Sequence, residues 1–243
     1  MSTEYNIIGD VAGQYDTLLA LLDKMPKAAT PVSVGDMCDR GPKSKEVLEF
    51  FKKSGLAILG NHDHMMVDYC KHENKYYRNG VWFWNGGTYT VESFFPEVDF
   101  SLSVEGVTSG QYAREKLYQE NKELLDWMDK LPLYLELDGA FISHAIKRPD
   151  WSLELACKIE ETMNNHTDDS IIWNRGNPRR MQGKYQICGH NSQWGLKRFT
   201  DKDGEYAICI DTSSSKVLTG IHWPSGVIYQ QEYISAIEYK DEE

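Results

Sequence analysis

The sequence predicts an α/β protein, a four-layer α-β-β-α sandwich of two mixed sheets. Three observations predict it: apolar runs alternating with amphipathic stretches over the first sixty residues, a change to hairpin patterning after residue 133, and polar residues that repeatedly follow an apolar run. A strand is expected at about 5–9, a helix at about 14–25 on Leu18, Leu19, Leu21, Leu22 and Met25, a strand at 31–35, a helix at 43–54 and a strand at 55–59. That βαβαβ order implies parallel neighbours with right-handed crossovers, and ligands gather at the carboxyl ends of such strands. The stretch from about 62 to 130 reads as mostly helical, with an aromatic insert from Tyr76 to Trp84 and a turn at Asn85-Gly86-Gly87. Leu133 to Leu137 and Ala140 to Ser143 flank Asp138-Gly139, a two-residue hairpin signal. Two further hairpins are expected, 197–200 with 205–210 and 217–222 with 227–230.

No linker, charge block or repeat divides the 243 residues, so residues 1–243 are expected to form a single catalytic domain. A net charge of -11 argues against a broad basic surface for nucleic acid, yet leaves room for a small cationic pocket. The five cysteines are scattered without a C-x2-C pair, which points to free thiols in a reducing compartment rather than a disulfide framework or a zinc cage. No leader-like start and no run of ~18 apolar residues is present, so a cytoplasmic protein without membrane contact is expected.

Gly35-Asp36-Met37-Cys38-Asp39-Arg40-Gly41 crowds two carboxylates and a guanidinium into one strand end, a combination suited to a metal and a phosphate. Gly9-Asp10-Val11-Ala12-Gly13, Gly60-Asn61-His62-Asp63, Ser143-His144 and Gly189-His190 each follow an apolar run in the same way. Taken together, Asp10, Asp36, Asn61, His144 and His190 offer oxygen and imidazole ligands that suit Mn²⁺, Fe²⁺ or Zn²⁺. Two ions about 3.5 to 4 Å apart clamp an in-line displacement at phosphorus, and Asp36 is the natural bridge between them. His62, free of the ligand direction, can protonate a leaving group, Asp39 can hold its tautomer, and Arg40 can fork two phosphate oxygens, with Arg175 a further candidate for that clamp.

These residues carry a resemblance to the phosphoprotein phosphatase family within the metallophosphoesterase superfamily, whose motifs run GDxHG, GDxxDRG, GNH(E/D), a His after a strand, and GH. It covers about residues 5 to 212. The likeness to compact bacterial and phage-lambda-type phosphatases extends through Asn61-His62-Asp63-His64-Met65-Met66, Trp84-Asn85-Gly86-Gly87, Ile172-Trp173-Asn174-Arg175 and Ile210-Asp211-Thr212. The resemblance implies a metallophosphoesterase-like sandwich. It also implies two divalent ions, with Mn²⁺ the expected metal, the first on Asp10 and Asp36, the second on Asp36, Asn61, His144 and His190. His62 would be the general acid backed by Asp39, Arg40 and Arg175 would hold phosphate, and a two-metal-activated hydroxide would attack phosphorus directly. No Cys is followed six positions later by Arg, so a cysteine phosphatase has no nucleophile here.

Ala12 departs from the pattern, standing where the family carries a His that completes the first ion's shell. A methyl group cannot ligate, so the first site is expected to be weakened. Because every other motif position is filled, a targeted His-to-Ala replacement is the preferred explanation, with a natural single-metal variant as the alternative. A lesser departure is Ala145-Ile146 after His144.

His64, His72, His166 and His222 lack such context and read as ordinary histidines, His222 with a possible place near the cleft. Tyr76-Tyr77 and Trp82-Phe83-Trp84 read as core beneath a loop rather than a base-stacking platform, and Arg179 and Arg180 as rim or solvent-facing cations. The expected activity is that of a serine/threonine, and permissively a tyrosine, protein phosphatase. The alternatives are hydrolysis of a dinucleoside tetraphosphate or a cyclic or RNA phosphodiester at the same site, or a non-catalytic phosphate-binding relic. A phosphorylated protein or small phosphoester is the expected partner, with an RNA or nucleotide substrate left open, and the chain is expected to be a monomer.

Overall fold

The computed structural model describes residues 3–72, 81–97, 103–104, 107–159 and 169–234. β1 (Tyr5–Ile8), α1 (Tyr15–Lys24), β2 (Thr30–Ser33), α2 (Ser44–Ser54) and β3 (Leu56–Ala57) form the expected βαβαβ unit with all three strands parallel. The third strand is shorter than its apolar run suggests. Ile58 still donates to Ser33, but the Leu59 amide turns to the Pro132 carbonyl at 2.9 Å, which draws the chain off the sheet before α3 (Asn61–Lys71) begins.

Among the described residues the middle is helical apart from a short antiparallel strand pair: a helical stretch at Phe83–Gly87 kinked at Gly86 (φ 108), α4 (Thr88–Phe94), β4 (Ser103–Val104), β5 (Val107–Thr108), α5 (Ser109–Glu120) and α6 (Lys122–Met128). Next come the expected hairpin of β6 (Tyr134–Leu137) and β7 (Ala140–Ser143), then α7 (Leu153–Ala156), β8 (Tyr185–Cys188), β9 (Lys197–Asp201) and β10 (Gly204–Cys209). The last hairpin, β11 (Val217–Trp223) with β12 (Val227–Glu232), crosses to the first sheet and lies antiparallel to β1. The sheets are therefore β12-β11-β1-β2-β3 and β6-β7-β8-β10-β9, both mixed.

Alternation along each strand divides the core. Ile7, Val32, Val34, Ile58 and Ile221 of the first sheet meet Ile142, Ile187 and Ile208 of the second between the sheets. Ile8 and Leu218 face the other way, against Leu18 and Leu21 of α1, Leu48 and Phe51 of α2, and Met65 and Met66 of α3. On the far side of the second sheet Phe141 packs on Ala156, Ile171 and Ile172, so among the described residues that outer layer is thin. Each Ile-to-Ala change between the sheets is expected to cost about 2–5 kcal/mol. This packing brings the carboxyl ends of β1, β2 and β3 to those of β7, β8 and β10, where Asp10, Asp36, Asn61, His144, His190 and Asp211 emerge.

Candidate active site

Side chains meet closely here because the backbone is held in unusual shapes. Among the described non-glycine residues, Ala12, Asp36, Asp39, Arg40, His190 and Lys216 have positive φ, and all but Lys216 belong to the sequence motifs. Such strained residues cluster at functional sites, where surrounding contacts hold them. Two motif glycines are required by close approach: a Cβ on Gly189 would lie 2.0 Å from Asp10 Oδ1, and one on Gly60 would lie 2.3 Å from Asp36 Oδ1.

The predicted metal ligands converge. His144 Nδ1 donates to the Val34 carbonyl at 2.9 Å, so its Nε2 lone pair faces Asn61 Oδ1 at 2.9 Å and Asp36 Oδ1 at 3.2 Å. His190 Nε2 donates to the Trp173 carbonyl at 2.9 Å, so its Nδ1 lone pair faces the same Asn61 oxygen at 2.8 Å. Asn61 Oδ1 thus meets two ring lone pairs, and His144 Nε2 also meets a carboxylate oxygen, acceptor against acceptor with no proton to share, an arrangement that is repulsive unless a cation lies among them. Asp10, Asp36 and His144 also bring their ligand atoms within 4.8 Å of one another, all buried. The donor set fits a divalent ion.

The electrostatics agree with that fit. Burial, reinforced by His144 and Arg175, pushes the His190 imidazole down to about 3, and burial lowers His144 as well. Burial, with Asp211 and Asp36 adding repulsion, raises the Asp10 carboxyl well above its ordinary range. At Asp36 burial also opposes ionisation, but the surrounding His144 and His62 outweigh it and hold the carboxyl below its ordinary value.

His62 stands beside this cluster, its Nε2 3.9 Å from Asp36 Oδ2. Its Nδ1 donates to Asp39 Oδ2 at 2.7 Å, and Arg40 Nη2 donates to its Nε2 at 2.8 Å. Burial alone would depress His62, yet Asp36 and the Asp39 contact raise it above its ordinary value. Asp39, fully buried, also accepts from Trp82 Nε1 at 3.1 Å and from Thr90 Oγ1 at 2.6 Å. Asn61, His62 and Asp63 are the first three residues of α3 rather than a strand end, and the His62 amide donates to Asp36 Oδ1 at 2.9 Å. Asp63 clasps this turn to the Gly35–Gly41 loop by accepting from the Met37 and Gly60 amides, both at 3.0 Å.

Asp63, Trp82, Thr90 and Asp211 were not singled out from sequence as site residues. Asp63 and Asp211 lie inside motif stretches that could have flagged them. The contacts of Trp82 and Thr90 span 43 and 51 residues and leave no local signal. Trp82 is core, as expected of its cluster, whereas Trp84 is 91% exposed; Tyr76 and Tyr77 lie outside the described residues, as does His166.

The remaining candidates separate. Arg175 is exposed at the rim and donates to the His190 carbonyl at 3.2 Å. Arg180 pairs with Asp201 at 2.7 Å and lies over the Tyr206 ring, away from the acceptor cluster. His222 is not near the cleft: it pairs with Asn6 at the amino end of β1 and contacts Ser225. Ala12 is buried at the edge of a 270 Å³ cavity that Arg40, Ser213, Ser214, Lys216 and Tyr233 also line.

Residues 5–209 match the family model for calcineurin-like phosphoesterases. The chain belongs to that family. Metallophosphoesterases of this kind use divalent metals, in agreement with the buried Asp10, Asp36 and His144. Over 62% of its length the chain is 29% identical to the symmetrical bis(5'-nucleosyl)-tetraphosphatase of Vibrio campbellii, of which the match covers 47%. The chain spans about half the length of the curated relatives it matches. Among solved structures, a protein crystallised as a candidate diadenosine tetraphosphatase superposes with a TM-score of 0.59 at 17% identity, over 97% of this chain and 96% of that one. The cold-active protein-tyrosine phosphatase of a Shewanella species superposes at 0.58 with 18% identity, over 96% and 81%. Both neighbours share the fold of this chain.

Proposed function

We propose that this metallophosphoesterase hydrolyses a phosphoanhydride bond in a nucleotide polyphosphate, with a dinucleoside tetraphosphate as the leading substrate. The observation that carries the chemistry is His62, fixed by Asp39 and Arg40 within 3.9 Å of Asp36 at the edge of the acceptor cluster. The choice of substrate is supported by the relatives named as bis(5'-nucleosyl)-tetraphosphatases, and so reverses the order of preference drawn from the motifs.

In this proposal Asp10 and Asp36 would hold one divalent ion, and Asp36, Asn61, His144 and His190 a second, with the whole chain acting as one catalytic domain. The ions, when bound, supply Lewis acidity that polarises phosphorus and acidifies water. Arg40 covers His62 Nε2 at 2.8 Å, and an arriving phosphate competes for that guanidinium through stronger charge-assisted bonds. Released from Arg40, Nε2 can carry the proton that the leaving oxygen needs, while Asp39 keeps Nδ1 protonated and the ring in place. Arg175 would approach the same phosphate from the rim. Hydrolysis of phosphoserine or phosphothreonine in proteins is the second reading, because the motif set resembles phosphoprotein phosphatases.

Values of kcat/KM on diadenosine tetraphosphate, a phosphoserine peptide and bis-nitrophenyl phosphate, measured with Mn²⁺, test the assignment. The dinucleotide is expected to lead by at least about tenfold, a transition-state preference of ~1.4 kcal/mol. A lead for the peptide would overturn it, and no hydrolysis of any of them even after Ala12→His would favour a binding role.

A further inference from the structure

We propose that the cavity beside Arg40 seats a second phosphate group, the neighbour of the scissile one in a polyphosphate chain, on Lys216, Ser214 and Tyr233. The inference rests on the phosphoanhydride reading above and adds residues to it.

Position is the first argument. The cavity shares Ala12 and Arg40 with the catalytic cluster, so a ligand there continues from a phosphate already gripped by Arg40. Its volume of 270 Å³ is close to the ~300–1,000 Å³ of ordinary ligand pockets.

Charge is the second. In a chain of net charge -11, this cavity is lined by two cations, Arg40 and Lys216, and by no carboxylate. Lys216 is exposed and has no ion-pair partner among the described residues. It is the one positive-φ side chain outside the motifs, at φ 57, closing the single turn Ser213–Ser215. That conformation caps the turn, the Lys216 amide donating to the Ser213 carbonyl at 3.0 Å, and so holds the Lys216 side chain at the cavity wall.

The third argument is an orphan donor. The Tyr233 hydroxyl is buried and has no hydrogen-bond partner among the described residues, although it lines this polar cavity. Buried hydroxyls are nearly always satisfied, so an unsatisfied one on a residue that lines a polar cavity points to an acceptor that arrives as the cavity fills. The Tyr233 amide donates to the Lys216 carbonyl at 2.8 Å, which fixes ammonium and phenol relative to each other. Ser214, linked to Ser192 Oγ at 2.6 Å, supplies a hydroxyl that can rotate toward phosphate oxygens, whereas Ser213 Oγ donates to Asp211 Oδ1 at 2.7 Å and shapes the wall.

Calorimetric titration of the full chain in metal-free buffer, with inorganic tripolyphosphate and orthophosphate as separate probes, tests the seat. A hydrogen bond to a charged group corresponds to roughly tenfold or more in affinity, so tripolyphosphate is expected to bind at least about tenfold tighter than orthophosphate. Lys216→Met and Tyr233→Phe should each bring that ratio to about 1, whereas Lys197→Met, outside the cavity, should preserve it. Tyr233→Phe keeps the ring and the net charge, so its effect separates a seat from general attraction of a more highly charged anion. A ratio near 1 in the unsubstituted chain, or one retained in both cavity variants, would overturn the proposal. If the ratio behaves as expected and no dinucleotide is cleaved, the seat stands and the phosphoanhydride reading falls. If the dinucleotide is cleaved and the ratio is near 1, the seat falls alone.

Discussion

His62 Nδ1 lies 2.7 Å from Asp39 Oδ2, on a carboxylate that Trp82 Nε1 and Thr90 Oγ1 also engage. The ring is therefore anchored by a group that is itself anchored from two other places in the chain. His62→Asn is expected to lower kcat by ~10²–10⁴, the usual contribution of a general acid. Asp39→Asn should cost ~10–100-fold, the usual penalty for losing an orienting partner. Single-turnover rates on substrates with leaving groups of different pKa check this. The His62→Asn deficit should shrink as the leaving group becomes more acidic, and a deficit independent of leaving group would contradict the acid role.

Gly189→Ala is expected to destabilise the protein by about 1–3 kcal/mol, the cost of inserting a methyl into a packed site. The added Cβ would meet Asp10 Oδ1 at 2.0 Å and Val34 Cγ2 at 2.8 Å. Urea unfolding at neutral pH measures the loss. Stability unchanged within error would show that the close approach of β8 to Asp10 is not rigid.

Much of this was legible in the sequence for a local reason. Ile7-Ile8 before Asp10 and Ala140 to Ile142 before His144 mark strands whose ends must emerge at one edge, and Asp138-Gly139 specifies its hairpin through turn geometry. What was not legible depends on partners far along the chain. β3 ends early because Leu59 bonds to Pro132, so Asn61 and His62 ride the first turn of a helix. The return of β11 to β1 and the Trp82 and Thr90 contacts to Asp39 likewise have no pattern within a window of a few residues.

Ala12→His should raise turnover with Mn²⁺ by at least about tenfold, since loss of a ligand should cost no less than the ~10–100-fold of an orienting partner. The position has φ 48, a left-handed conformation in which His is better tolerated than most residues. Steady-state rates before and after the change provide the check. An unchanged rate would mean that Ala12 is native to a centre that works with one complete ion site.

Lys71 at the far end of α3 bonds Asp126 Oδ1 and Asp129 Oδ2, both at 2.7 Å, and His72 reaches Asp129 at 3.1 Å. Burial nudges Asp129 upward, but the Lys71 and His72 contacts outweigh it and lower the carboxyl. Its contribution is therefore complete above the unfolded value of ~3.9 and lost as pH falls through the lower folded value. Lys71→Met should reduce the stability difference between pH 7 and pH 3 by up to about 1 kcal/mol, the scale of partly exposed pairs. Urea midpoints at the two pH values measure it, and an identical difference in both proteins would contradict the clamp.

On the present proposal a divalent ion belongs among Asp36, Asn61, His144 and His190. Metal content per chain after equilibrium dialysis against Mn²⁺ tests it most directly. One tightly held ion is expected in the chain as it stands, two after Ala12→His, and none after Asp36→Asn. A chain that holds no ion, or an Asp36→Asn variant that keeps one, would contradict it.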